Sequence, residues 1–549
     1  MSKILGAALG KCVHVAGILS FLNLAEQLGH ETHFLGPATP IEALISAIQD
    51  HDPDVVAVSY RLTPETGEAV LRQFAGAVQK ANLQHKRFCF GGTPPVAEKA
   101  QQLGLFEACF SGEEPLDAII AYLQKRKSAP TREARSPQNV VERIKWKSPF
   151  PLIRHHFGQP TIEDTVEGIR QLSESGLLDV VSLGPDQDAQ ENFFHPERQD
   201  PKRKGAGGVP ARSADDYRAM YRVTRRGNYP LMRCYAGTDD LLLLAKMYLE
   251  TINNAWAAVP IFWFNVLDHR GPMALEESIR VHQQVMHWHA ERGITVEVNE
   301  PHHWSLRDAP DVIYVATSYL SAYNAKAMGV QHYIAQYMFN TPAGLSDSMD
   351  LARMLASCAL VESLADEGFS TYRQTRTGLP SYPVDQDAAG AHLAASIYLQ
   401  MALKPHIIHV VSACEAHHAA TADDIIHNCR AAQHVIAHCL RGMPDMEHDP
   451  QVQHRKQELI TEAQVLLDGI GRLAGSHVRD PLTDPHTLAR AVTIGLLDAP
   501  HLKGSSIARG EIVTRVVDGA CQAIDQDTGK VLSESDRVKR ALGSSAVSS

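Results

Sequence analysis

No run of 18 apolar residues occurs anywhere in the 549-residue sequence, so no segment reads as a membrane-spanning helix. No basic segment followed by a long apolar stretch stands near Met1, so no secretory leader is expected. Positive charge is in short supply. Lys and Arg number 52 against 63 Asp and Glu, a formal net charge of -11, which argues against nucleic acid or an anionic membrane surface as the main partner. The nine cysteines are odd in number and form no CxxC pair, so neither a disulfide framework nor a zinc ribbon is suggested. What is present is a 44% hydrophobic composition, enough for a sizeable core, in a chain too long for one ordinary domain. We expect a soluble, cytoplasmic enzyme of two or three domains.

The stretch Gly10-Lys11-Cys12-Val13-His14-Val15-Ala16-Gly17 follows the apolar run Ile4 to Leu9 and precedes Ile18, Leu19, Leu22, Ala25 and Leu28 at helical spacing. This is a strand, a loop carrying one histidine, and a helix. Strand patterns recur at Glu31–Leu35, Val55–Ser59, Arg87–Phe90 and Phe106–Phe110, and helical patterns at Pro40–Asp50 (with Thr39 as N-cap), Thr66–Ala81 and Pro115–Gln124. Five strands alternating with helices over residues 1–127 predict a flavodoxin-like, Rossmann-like doubly wound sheet. Such a sheet presents ligand-binding groups in the loops at the carboxyl ends of its strands. Those loops carry His14 and Gly17, then Ser59 and Thr63 in Ser59-Tyr60-Arg61-Leu62-Thr63-Pro64, then Gly91 and Gly92.

Together the three loops resemble the cobalamin-binding domain of the B12 mutases and methionine synthase, whose signature is Asp-x-His-x-x-Gly, a serine-containing loop and Gly-Gly. The resemblance implies His14 as the lower ligand to cobalt, with Gly17 completing the motif. It also implies Ser59, Thr63, Gly91 and Gly92 around the nucleotide tail. Neutral imidazole suits cobalt, hydroxyls can hydrogen-bond a displaced base, and glycines let a bulky tail approach the backbone. The aspartate of the signature is Cys12 here, a weaker donor and acceptor for holding the imidazole.

Residues 128–150 are polar and proline-punctuated and read as an interdomain linker, with Lys125-Arg126-Lys127 ahead of them as a solvated basic cluster. From 151 to 426 the alternation resumes with a longer period. Strands are expected at Leu178–Leu183, Leu231–Tyr235, Ile261–Asn265, Thr295–Asn299, His332–Met338 and His406–Val411, with helices between, as in a TIM (β/α)8 barrel. A second large doubly wound sheet is the alternative. Gly205-Ala206-Gly207-Gly208-Val209-Pro210 reads as a flexible barrel-top loop near Arg212 and not as a phosphate cradle. The His287, His289, His302, His303, His417 and His418 pairs show no recurring metal-ligand spacing. Residues 427–549 read as a helical and mixed region that caps the barrel or forms a dimer contact. It holds a hairpin across Val513–Leu532, turning at Asp527-Thr528-Gly529, and a disordered end from Ser544.

The junctions around Arg233, Arg280, Glu300 and Glu415 resemble, in that order, the large catalytic subunit of glutamate mutase (methylaspartate mutase), here fused behind its small cobalamin-binding subunit. The resemblance implies an adenosylcobalamin-dependent carbon-skeleton isomerase. Arg233 and Arg280 would grip a substrate carboxylate, Glu300 would meet the substrate's ammonium or proton, and Glu415 would contact the adenosyl ribose. The family's third arginine has no counterpart in Pro185–Asn192, which is acidic and amide-rich, and its lysine appears as Val411. A small carboxylate or amino acid is therefore the expected substrate, and a homodimer or a second related subunit the expected assembly. A cobalamin-dependent sensor or inactive partner subunit, and a corrinoid methyltransferase, are the alternative functions.

Overall fold

The computed structural model describes residues 2–112, 114, 116–124 and 136–545, which fall into two compact units, 1–130 and 131–549. In the first unit, β1 (Lys3–Ala8), β2 (Glu31–Phe34), β3 (Val55–Tyr60), β4 (Arg87–Gly92) and β5 (Ala108–Phe110) form one parallel sheet in the order β2-β1-β3-β4-β5. This is the flavodoxin-like order. The unbroken run Val-Val-Ala-Val-Ser-Tyr of β3 is buried along its whole length because helices cover both faces of the central strand. Thr39 does not cap the second helix. The helix runs Ile41–His51 from Pro40, while the Thr39 hydroxyl donates to Gly36 O (2.9 Å).

In the second unit eight parallel strands follow one another around a nearly closed barrel: β6 (Leu152–Phe157), β7 (Val180–Leu183), β8 (Leu231–Cys234), β9 (Ala257–Val259), β10 (Val296–Val298), β11 (His332–Phe339), β12 (Ser370–Thr377) and β13 (Ile407–His409). β13 pairs with β6, and the only neighbours without backbone pairing are β8 and β9, which form a seam. A helix follows each strand, the last spanning Ala422–Leu440, so the barrel extends beyond residue 426. The strand expected at Ile261–Asn265 is instead the loop after β9, and β6 and β12 are strands the sequence pattern did not reveal.

The basic cluster at 125–127 and residues 128–135 lie outside the described residues. The rest of the expected linker is not linker: Val140–Lys147 is a helix, capped by Asn139, whose Val140, Val141 and Ile144 are buried with Leu152, Val180, Leu231 and Ile407. These are the first residues of β6, β7, β8 and β13, so the helix plugs the amino-terminal end of the barrel.

The C-terminal region is a side layer and not a lid. Helix Pro450–Gly471 packs on helices Asp311–Ala327 and Asp347–Glu362, which explains why Asp311–Ala327 is apolar and buried on nearly every side. Helix Glu534–Ser545 packs on Pro450–Gly471 in turn and takes in Ser544 and Ser545; 546–549 are outside the described residues. The hairpin is β14 (Thr514–Val517) with β15 (Ala520–Ala523), so its tight turn falls at Asp518-Gly519. A second turn, Asp525–Lys530, brings Ile524 opposite Val531.

Candidate functional site

In the first unit, β1 ends in a turn at Gly10, whose φ of 65° suits a residue without Cβ. The turn buries Cys12, whose Sγ accepts the backbone N–H of Arg61 (3.3 Å) and lies 4.0 Å from His14 Nδ1. His14 itself is exposed, just ahead of helix Ala16–Gln27. A cavity of about 350 Å³ lies beside it, lined by His14, Gly17, Phe21, Ser59, Gly91 and Gly92 among others.

Ser59 is 3% exposed, and its Oγ has no hydrogen-bond partner among the described residues. A buried hydroxyl left unpaired is costly unless a ligand or water completes it. A Cβ added at Gly17 or Gly91 would meet nothing within 4 Å, so both glycines leave open space. Gly92 differs: its Cβ would come within 2.7 Å of Tyr60 O and Phe90 Cε1, so the strands themselves require it. Thr63 does not line the cavity. It caps helix Pro64–Lys80, accepting the Thr66 N–H. An accessible imidazole, an unsatisfied hydroxyl and glycine-bordered apolar space form a donor set that fits a corrinoid with a long polar tail.

The interior of the barrel is polar. Arg154 on β6 and Arg233 on β8, both at most 1% exposed, share the single carboxylate of Glu297 on β10, at 3.2 and 3.3 Å. Trp256 Nε1 also donates to Glu297 Oε2 (2.7 Å). Arg154 donates to Gln374 Oε1 (2.7 Å), Gln374 to Gln336 (3.1 Å), and Gln336 meets His302 Nδ1 (2.9 Å), giving a network from β6 to the loop after β10. Above the arginines, His156 Nε2 lies 2.9 Å from both Arg154 Nη2 and Tyr235 Oη.

Burial would raise the Glu297 carboxyl, but Arg233 and Arg154 outweigh it and hold it below its ordinary value. Burial, with Arg233 adding to it, pushes Arg154 down to about 9. Burial and then the Arg154 charge hold His156 and His409 well below the usual histidine range, so both rings are neutral. Two cations thus share one anion in a space closed to water. Arg233 Nε and Nη1 and Arg154 Nε have no partner among the described residues. Such a centre can accept a further carboxylate.

Of the residues expected from sequence, Arg233 lies in this centre and two others do not reach it. Arg280 is on the outer face of helix Leu275–Ala290, half-exposed and paired with Glu276 four residues earlier (2.9 Å). Glu300 is fully buried, and its oxygens accept from Ile261 N (2.8 Å), Phe262 N (3.1 Å) and Trp304 Nε1 (2.7 Å). Burial pushes it up to about 7 despite those donors. Its place in the structure is to hold the loop after β9 against Trp304.

Glu415 closes a capping box with Ser412 on the loop after β13. His155 lies 3.3 Å from it, but burial lowers the histidine pKa, so the contact is not an ion pair. The acidic loop after β7 is neutralised within the chain: Asp186 forms a bidentate pair with Arg212 and Asp188 pairs with Arg203. The Gly205–Pro210 loop is pinned rather than flexible, because Gly205 N donates to Asp186 (2.9 Å) and Val209 N to Gly184 O (2.8 Å). Arg154, Glu297, Gln374 and His156 are members of the centre that sequence reasoning missed. The signal for Arg154 and His156 is a polar residue at alternate positions of β6, and for Gln374 its alternation with Arg376 on β12; Glu297, between two valines, has none.

The comparisons with known proteins bear on the first unit. No curated protein matches the chain. Among solved structures, a cobalamin-binding protein from Desulfitobacterium hafniense DCB-2 is 21% identical over 23% of this chain and 59% of its own, with a TM-score of 0.21; this chain thus spans about three fifths of that protein's length. OxsB, a cobalamin-dependent S-adenosylmethionine radical enzyme, is 11% identical over 90% of this chain and 72% of its own, with a TM-score of 0.17. No helix among the described residues is long and apolar enough to cross a membrane. The family model that matches is the B12 binding domain, over residues 2–120, and it supports cobalamin as the ligand of the N-terminal unit.

Proposed function

We propose that the protein is an adenosylcobalamin-dependent carbon-skeleton mutase, acting in the cytoplasm on a small carboxylate or amino acid. The observation that carries this reading is a B12 binding domain on the same chain as a parallel barrel with two buried arginines sharing one carboxylate. Bound adenosylcobalamin supplies radical hydrogen transfer; the chain's own residues supply the ligand, the pocket and the charge. His14 would ligate the cobalt, with Cys12 Sγ on its Nδ1 side. Gly17, Gly91 and Ser59 receive the tail, and Gly92 keeps the floor of the pocket close-packed. Arg233, with Arg154 beside it, holds the substrate carboxylate, and the enclosed barrel keeps water from the reacting centre.

A second reading, a cobalamin-binding protein that isomerises nothing, draws on the surface position of Arg280 and the saturated carboxylate of Glu300. One experiment addresses both. The protein is reconstituted in the dark with adenosylcobalamin, desalted, and its absorbance recorded for wild type, His14→Ala and Gly91→Leu. Small carboxylates are then screened for a radical signal. We expect a retained, base-off spectrum that shifts with His14→Ala and is lost with Gly91→Leu. Loss of cobalamin from the wild type on desalting overturns the mutase, and retention without any radical signal favours the second reading.

A further inference from the structure

The loop leaving β13 brings together three side chains that neither site above uses. After the short turn Ala413–Ala416, the backbone N–H groups of His417 and His418 both donate to Cys414 O (2.8 and 3.0 Å), folding the chain back over Cys414. Asp424, the third residue of helix Ala422–Leu440, is aimed at the same point by its capping box with Thr421. One ligand atom from each of Cys414, His418 and Asp424 lies within 4.8 Å of the others, and His418 Nε2 is 3.3 Å from Asp424 Oδ2. Cys414 is 6% exposed and forms the floor, while His418 is half-exposed at the mouth.

We propose that Cys414, His418 and Asp424 form a binding site for a divalent ion of the zinc class, with the fourth coordination position open to solvent. A thiol, an imidazole and a carboxylate make a borderline-soft set, which suits zinc and disfavours magnesium and calcium, whose preferred ligands are all oxygen. Zinc bonds of about 2.0–2.3 Å need ligand atoms under about 4 Å apart, so the cluster has to contract by about an ångström at most. The Thr421 N–H and hydroxyl both donate to Asp424 Oδ2, which fixes the carboxylate beside His418. The bound ion would tie the Glu415 turn to the start of the last barrel helix.

The test uses the full-length protein without cobalamin, stripped of metal with a chelator. Zinc is titrated in competition with a chromophoric chelator for wild type, Cys414→Ser and His418→Ala, and Co(II) is added in place of zinc. The expected result is one zinc bound per chain. Each substitution should weaken binding by more than about tenfold, since even an outer-shell partner is worth that much. A thiolate-to-cobalt charge-transfer band should appear in the wild type and be absent from Cys414→Ser. Unchanged circular dichroism certifies that each variant is folded. Failure to bind stoichiometric zinc, or binding that both substitutions leave unchanged, overturns the proposal.

Discussion

Glu297 and Glu300 lie three residues apart, both buried, and the chain accommodates them in opposite ways. Glu297 faces two guanidinium groups and stays ionised, whereas Glu300 meets only N–H donors and titrates near neutrality, at about 7. Between its ordinary value of 4.5 and about 7, the folded state holds a proton that the unfolded state has lost. The stability from this group is therefore complete below about pH 4.5 and is lost as the pH rises through about 7. A shift of that size corresponds to about 3 kcal/mol. We expect wild type to lose about that much more stability than Glu300→Gln between pH 4.5 and 8, measured by urea denaturation across the range. Equal pH profiles would show that Glu300 is ionised throughout.

From the sequence alone, Glu300 stood out because it precedes a proline at a loop, and Glu297 was invisible because it sits inside a strand. The cobalamin loops were legible for a different reason. His14, Ser59, Gly91 and Gly92 fall at strand ends of a fold whose alternation is regular, so their convergence follows from topology.

At the scale of elements, two strands that contribute to the barrel's polar centre, β6 and β12, do not read as strands in the sequence. β6 reads Leu-Ile-Arg-His-His-Phe and β12 reads Ser-Thr-Tyr-Arg-Gln-Thr-Arg-Thr, neither of them an apolar run. Arg154, His156 and Gln374 point inward, and the outward positions Ile153 and Phe157 pack under the helices. The residues that make the site are the residues that disguise its strands.

The helix Val140–Lys147 was hidden by its setting instead, because a proline-rich, charged neighbourhood masked one buried stripe. Ile144 is 7% exposed within the cluster that closes the bottom of the barrel. Ile144→Ala should cost about 2–5 kcal/mol of barrel stability and leave cobalamin retention intact. A linker would tolerate the change, so an unaltered urea midpoint would return this segment to that role.

At the scale of the molecule, two units carry separate cores: one around β1–β5, and one around the barrel and its C-terminal layer. A ligand that binds one folded unit stabilises that unit, by about 2.7 kcal/mol at a hundredfold excess over its Kd. Scanning calorimetry should therefore resolve a transition that moves up with cobalamin and a second that stays in place. A single transition that moves as a whole would show that the units unfold together.

The seam between β8 and β9 gives the barrel a freedom that a fully paired cylinder lacks. A closed ring of backbone hydrogen bonds fixes its own circumference, and widening it means breaking a ladder. Here the girth can change by parting two strands that share none. The β8 edge is supplied from the connecting segment, Asn254 accepting from Cys234 N and Ala255 N donating to Met232 O. Arg233 rides on one lip of that slit, stacked over Trp256 at the other, 5.5 Å away. The guanidinium that would grip a carboxylate is thus mounted at the one junction of neighbouring barrel strands that no backbone ladder closes.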